Sequence, residues 1–441
     1  MQTYFYELVD FLNAQLVRDE VQLTHFYAEE SDFVRFNHNA VRQAGAVEQR
    51  GLDLTLIRGQ RHSSSSVTIA GERSLDRARL SAALDGLRER LLVVPEDPFL
   101  LYSTDVCCTE MIHPDRVREG QGSVVDAIIA AGEGRDLVGL FAAGPIQRGF
   151  ANSFGQRNWF SLHSYHFDWS FYLAGNRAVK SSYAGPTWQP DEFQSKIDQA
   201  AEQLEALRSP PRTIQPGCYR VYLAPSALGE ITDLLSWGGF GLTAHRTRQT
   251  PLLRMIAEGA GLDPSVTLVE DTVGGTTANF DEVGFIKPSQ VTLIRAGAMA
   301  DPLVSPRAAK EYGVATNAAG AGEAPESLVM NSGGLSRSEI LGRLDTGIFI
   351  NNLWYLNYSD RDACRMTGMT RFATFWVENG AIVAPLNVMR FDETLYRMLG
   401  DNLLGLTRER DLLMDSNTYY CRSTGSARLP GALIDDFTFT L

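Results

Sequence analysis

Trp159-Phe-Ser-Leu-His-Ser-Tyr-His-Phe-Asp-Trp-Ser-Phe-Tyr-Leu173 is the stretch on which the fold turns. Trp159, His163, Tyr165, Phe167, Trp169, Phe171 and Leu173 share one parity. Successive side chains of a strand point to opposite faces, so this spacing predicts a β-strand with one almost wholly aromatic face. A face of that kind is core or an interface; the alternative is a ligand-stacking groove.

Working outward, the spacing of Tyr4, Phe5, Leu8, Leu12 and Leu16 predicts a helix over Thr3–Arg18. Period-two alternation follows over 33–36, 41–49 and 52–56, with Arg58-Gly-Gln-Arg61 as a turn before Val67-Thr-Ile69. Leu80, Leu84, Leu87 and Leu91 predict a helix over 75–92; a short helix near 124–131 and strands near 137–142 and 149–154 come next. Phe193, Ile197, Ala200, Leu204 and Leu207 place a helix over 191–207, opened by Pro190 and stopped at Ser209-Pro-Pro211. With three prolines and a glycine, Ser209 to Gly217 reads as a stiff linker.

Beyond the linker, 218–223 reads as a strand and 225–237 as a helix. Residues 328–343 read as a helix, with Ser336 and Glu339 at capping-box spacing. Strands over 346–356, 371–378 and 381–389, punctuated by Asn379-Gly380, suggest hairpins. The expected fold is α+β: an N-terminal domain (1–208) of mixed sheet with flanking helices, a Pro-rich linker (209–217), and a C-terminal domain (218–441) rich in antiparallel strands.

The chain has 441 residues, 44% hydrophobic and 21% charged, as folded proteins do. Its 53 acidic against 40 basic residues give a net charge of −13, which opposes nucleic-acid and anionic-membrane binding. No basic-then-apolar leader and no run of about 20 apolar residues occurs, so a cytoplasmic, non-membrane protein is expected. The five cysteines are scattered, and reduced thiols are expected, Cys107-Cys108 included.

Most chemistry-bearing clusters read plainly. His163 and His166 are three apart on a strand and face opposite ways, and His25, His38, His62 and His113 lack ligand spacing. Gly120-Gln-Gly122, Gly132-Glu-Gly134 and Gly274-Gly275 lack the Gly-Lys-Ser/Thr ending of a phosphate loop. Ser63 to Ser66 lacks a nucleophile elbow, and Glu270-Asp271 and Asp281-Glu282 are sequence neighbours that point apart.

A set of ordered motifs says more. Val34-Arg-Phe36 precedes Asn39-Ala-Val-Arg-Gln43; Gly217-Cys-Tyr-Arg-Val-Tyr-Leu-Ala-Pro225 precedes Ala227; and Asn331, Gly333-Gly334, Glu339-Ile340, Gly347-Ile348, Thr367-Gly368, Phe372, Glu378-Asn-Gly380 and Pro385 follow in order. Together they resemble the TldD/PmbA family over nearly the whole chain. Active members of that family carry His-Glu-x-x-x-His where this chain reads Ser236-Trp-Gly-Gly-Phe-Gly-Leu-Thr243. Trp237 and Leu242 fall at the histidine positions and Gly238 at the glutamate, and neither indole nor isobutyl offers a lone pair to a metal.

The resemblance implies a metal held by two histidines and a C-terminal cysteine, with the glutamate as general base. Cys421 falls near the cysteine position, though Cys421-Arg-Ser423 departs from the family's Cys-Gly-Lys. The pattern is similar to the metal-free PmbA/TldE type. It implies a non-catalytic subunit with no cofactor of its own, a TldD-type partner bearing a divalent metal such as zinc, and a peptide or unfolded polypeptide as substrate. Gly239, Phe240, Gly241 and His245 form the candidate substrate groove, with a plain turn after the helix as the alternative. Two rival readings are an independent biosynthetic enzyme using Cys421 or His245, and a homodimeric peptide-binding scaffold using the aromatic strand 159–173.

Overall fold

The computed structural model describes residues 1–114, 121–174 and 177–440. Gly120, of the first glycine cluster, lies outside them. The N-terminal half runs α1 (Gln2–Asn13), β1 (Val21–Asn37), β2 (Ala40–Arg58), β3 (Arg61–Thr68), α2 (Arg73–Leu91), β4 (Thr109–Ile112), α3 (Gln121–Ala131), β5 (Asp136–Asn152), β6 (Arg157–Leu173), β7 (Arg177–Gly185) and α4 (Pro190–Ala206). There follow β8 (Gly217–Leu223), α5 (Pro225–Ser236), α6 (Leu242–Arg246), α7 (Leu253–Ala257), β9 (Leu268–Asp271), β10 (Gln290–Arg295), β11 (Ala298–Met299) and α8 (Pro306–Tyr312). The chain closes with β12 (Ser327–Met330), α9 (Ile340–Leu344), β13 (Gly347–Asp360), β14 (Arg365–Glu378), β15 (Ala381–Pro385), β16 (Arg390–Thr394), β17 (Leu403–Met414) and β18 (Ser426–Phe439).

Strands β1 to β7 form one sheet in the order β3-β2-β1-β5-β6-β4, with β7 also on β6. The expected mixed character belongs elsewhere. All long strands of this sheet pair antiparallel, and only the four-residue β4 lies parallel, along the start of β6. The physical reason is the connections: β1–β2, β2–β3 and β5–β6 are tight hairpins, which can join only antiparallel strands. The second sheet, from β8 to β18, is the mixed one, with β12 parallel to β18 and β13 parallel to β8.

The aromatic strand is core. Trp169 stacks on Phe167 at 4.7 Å, and Phe193 of α4 and Trp188 cover the same face. Trp159 serves a separate cluster with Phe5 and Phe26, under α1 and α2. This burial makes the aromatic face of β6 part of the chain's own core. The two halves also share core, since Ala373 and Phe375 of β14 join the cluster under α4.

Three further expectations need correction. Strands foreseen as separate pieces at 33–36 and at 137–142 and 149–154 are parts of the long β1 and β5. Helix α1 ends at Asn13, and Glu20 takes the Val17 N–H at 3.0 Å in the turn into β1. The helix expected over 328–343 is instead β12, a loop, a 3-10 turn at Arg337–Glu339 and the short α9. Ser336 contacts Ser338 and caps no N–H by its side chain.

Candidate functional site

Pro225 opens α5 where a missing N–H costs nothing, and Ala227, Leu228, Ile231, Leu234 and Leu235 bury its inner face. The helix stops at Trp237 because Gly238 follows at φ +79, a conformation suited to glycine. The chain then doubles back tightly. A Cβ on Gly239 would lie 2.2 Å from the Leu235 carbonyl oxygen, so any larger residue would force the helix end open.

Phe240 is fully buried, and the backbone on either side of Gly241 is already paired: Leu242 N–H donates to Leu303 O at 2.9 Å and Leu303 N–H to Phe240 O at 2.8 Å. A Cβ on Gly241 would meet the Glu323 side chain. The close approaches these glycines permit are therefore made within the chain, and the segment faces solvent at Trp237, 75% exposed, and at Thr243. Leu242 is buried against Val304, Ala308 and Ala309.

Two residues without any spacing signal hold the segment. Glu323, 3% exposed, accepts the Thr243 N–H at 2.8 Å and both the N–H and the hydroxyl of Ser305, at 2.9 and 3.0 Å. It thus ties the start of α6 to the start of α8. Arg361, in the turn between β13 and β14, donates to Trp237 O and Gln249 O at 3.0 Å each and lies over the Tyr358 ring.

His245 points inward. Its Nε2 is 2.8 Å from Gly239 O, and because a carbonyl only accepts, that nitrogen carries the proton. Burial lowers its pKa, partly offset by that hydrogen bond and by Glu323. The ring is a neutral strut for the glycine turn, and Thr250 Oγ1 donates to the same carbonyl at 3.1 Å.

Cys421 lies elsewhere, on the connection between β17 and β18, with its sulfur in hydrogen-bonding reach of Arg148 on β5. No bond among the described residues joins it to 237–245, and no three His, Cys, Asp or Glu side chains there are grouped to hold a metal ion. The next residue, Arg422, is 1% exposed. It donates to Ala142 O, Ser164 O and Gly144 O at 3.2, 3.0 and 2.7 Å, pinning this connection into the N-terminal sheet.

A cavity of ≈ 280 Å³ opens between that sheet and the loops of the C-terminal half, lined by His25, Arg148, Asp281, Glu282, Lys287 and Thr424 among others. Burial pushes the Asp281 carboxyl up to about 7, against the N–H groups of Phe285 and Val283, which favour its charged form. With the folded pKa raised, the protonated form's stabilisation is complete below the unfolded pKa of about 4 and is lost as pH rises through 7. Asp281→Asn, which keeps the accepting Oδ1, is expected to raise stability at pH 8 by on the order of 2 kcal/mol and to change it little at pH 4. Urea titrations at the two pH values check this, and equal shifts at both would contradict it.

Residues 216–441 match the family model described as the PmbA/TldA metallopeptidase C-terminal domain, and the chain belongs to the PmbA/TldD metallopeptidase family. Solved structures share the fold along the full length. TldE from Thermococcus kodakarensis is 14% identical with a TM-score of 0.78, over 100% of both chains. A protein described as a candidate modulator of DNA gyrase from Thermotoga maritima is 15% identical with a TM-score of 0.76, over 99% of this chain and 100% of that one. One so described from Bacteroides thetaiotaomicron is 15% identical with a TM-score of 0.74, over 99% and 97%. At these identities the likeness is one of fold. No curated protein matches the chain. Among the described residues no helix is long and apolar enough to cross a membrane.

Proposed function

We propose that this chain is the non-catalytic, TldE-like subunit of a two-chain metallopeptidase that cleaves peptides or unfolded polypeptides. The observation that carries this reading is the chemistry at three positions. Trp237 offers only an indole N–H, Gly238 no side chain, and Leu242 a buried isobutyl group. The catalytic ion, zinc by its usual ligand chemistry, would then belong to a TldD-type partner, where it would supply Lewis acidity for peptide hydrolysis.

The subunit's own work is to shape the chamber and guide substrate. Beyond Arg50, whose carbonyl takes the Ile69 N–H at 3.0 Å, the outer edge of β2 has no strand partner among the described residues, and 40–48 are exposed throughout. Such an edge offers N–H and C=O groups to an extended polypeptide, whatever its side chains. This supports β2 as the guide over the self-paired glycine turn at 239–241.

Activity is expected only on mixing with a chain that retains His-Glu-x-x-x-His, and chelation abolishes it. Elemental analysis of this chain alone should give well under one zinc, iron or manganese per molecule. Chelator-sensitive hydrolysis by this chain alone would refute the assignment.

A further inference from the structure

The cavity between the N-terminal sheet and the loops of the C-terminal half contains a cation, Arg148, with no carboxylate paired to it among the described residues. Arg148 faces Tyr27 across the β1–β5 ladder and His25 faces Phe150, so His25 and Arg148 share one face of the sheet. Among the described residues no carboxylate lies within 4.0 Å of the Arg148 guanidinium. Its Nη1 donates to Gln147 O at 3.0 Å, and the Cys421 thiol is among the groups that favour its charged form.

The nearby carboxylates are engaged elsewhere: Asp53, which faces His25 across the β1–β2 ladder, takes the Ser66 hydroxyl. Glu29 takes the Arg422 N–H and the Gln49 carboxamide. Glu326 pairs with Lys287 at 2.8 Å. Asp281 Oδ1 takes the N–H groups of Val283 and Phe285. Glu282 is the remaining carboxyl of the lining, and burial favours its neutral form.

His25 has no side-chain hydrogen bond to the described residues, and burial beside Arg148 holds its pKa down at about 4, so the ring is neutral and free to donate. A desolvated guanidinium with a neutral donor beside it is suited to a planar, two-oxygen anion. The ≈ 280 Å³ volume admits the end of a chain and excludes a folded partner. With Glu282 and Glu326 also in the lining, a single negative charge fits better than a phosphate dianion.

We propose that Arg148 and His25 form a subsite for a free α-carboxylate, so that a peptide is seated in this cavity by its C-terminal end. The assignment rests on the peptide-handling function proposed above. Arg148 acts there as a specificity-determining residue, and Cys421 and Thr424 on the Arg422-pinned connection complete the wall.

The test is fluorescence anisotropy of the full chain with an N-terminally labelled, unstructured peptide, made as the free acid and as the C-terminal amide. The free acid is expected to bind about tenfold or more tightly. N-acetyl-alanine is expected to displace it, and inorganic phosphate at equal concentration to do so poorly. Arg148→Gln should remove the acid-over-amide preference without changing the melting temperature by more than a few degrees, while Arg148→Lys keeps part of it. Equal binding of acid and amide overturns the carboxylate subsite and leaves the peptide function standing. Binding of neither overturns both, and better displacement by phosphate overturns the choice of ligand.

Discussion

Arg422→Ala is expected to cost about 3–5 kcal/mol of folding stability, the range for removing one member of a buried charged pair. The β1–β5 ladder breaks between Glu29↔Ile146 and Asp32↔Ala143. Gly144 sits in that gap at φ +148, where a Cβ would strike Glu30 O at 1.9 Å. The break leaves Gly144 O free, and the Arg422 guanidinium fills it from the other half of the molecule.

Removing Arg422 takes a donor from the Ala142, Ser164 and Gly144 carbonyls and leaves Glu29, 2% exposed, without the cation 3.7 Å from its Oε1. Arg422→Lys should recover only part of the loss, because one ammonium cannot reproduce a planar fork. Urea denaturation gives the size, and limited proteolysis should show cleavage between β17 and β18 in the Ala variant. A loss below about 1 kcal/mol would mean the arginine is a passenger in the interface.

Reinstalling the lost motif, as Trp237→His with Gly238→Glu and Leu242→His, is expected to destabilise the protein by several kcal/mol and to bind no stoichiometric metal. The deficit extends beyond side chains. Helix α5 has already ended at Ser236, so 237 and 242 are separated by a non-helical turn. Glutamate at 238 would have to adopt φ +79 within about 3.0 Å of the Arg361 guanidinium. Histidine at 242 would put a polar ring among Val304, Ala308 and Ala309. Metal content and thermal unfolding of the triple variant decide the matter: one tightly held zinc per chain would show that the scaffold had kept the site.

Local rules made much of the architecture readable. Asn379-Gly380 is a two-residue hairpin turn with φ +52 and +74, as its composition indicated. Pro190 and Pro225 both begin helices, and the parity of 159–173 foretold a strand with a buried face. Residues 328–343 misled because their apolar spacing fits a helix, whereas Leu328 and Val329 are recruited by β9 and β18, some 60 and 100 residues away. Gly333 fits there because β17 passes so close that a Cβ would lie 2.2 Å from Leu406 O.

The candidate site divides the same way. That 237–242 lacks metal-ligating side chains is written in residue types, since lone pairs are a property of the amino acid and need no fold to be counted. Where Cys421 sits, what Glu323 and Arg361 hold, and why Arg148 pairs with no carboxylate among the described residues were decided by tertiary structure. Each depends on residues tens to hundreds of positions apart brought together from loops, turns and strands, a pairing that no spacing along one strand or helix encodes.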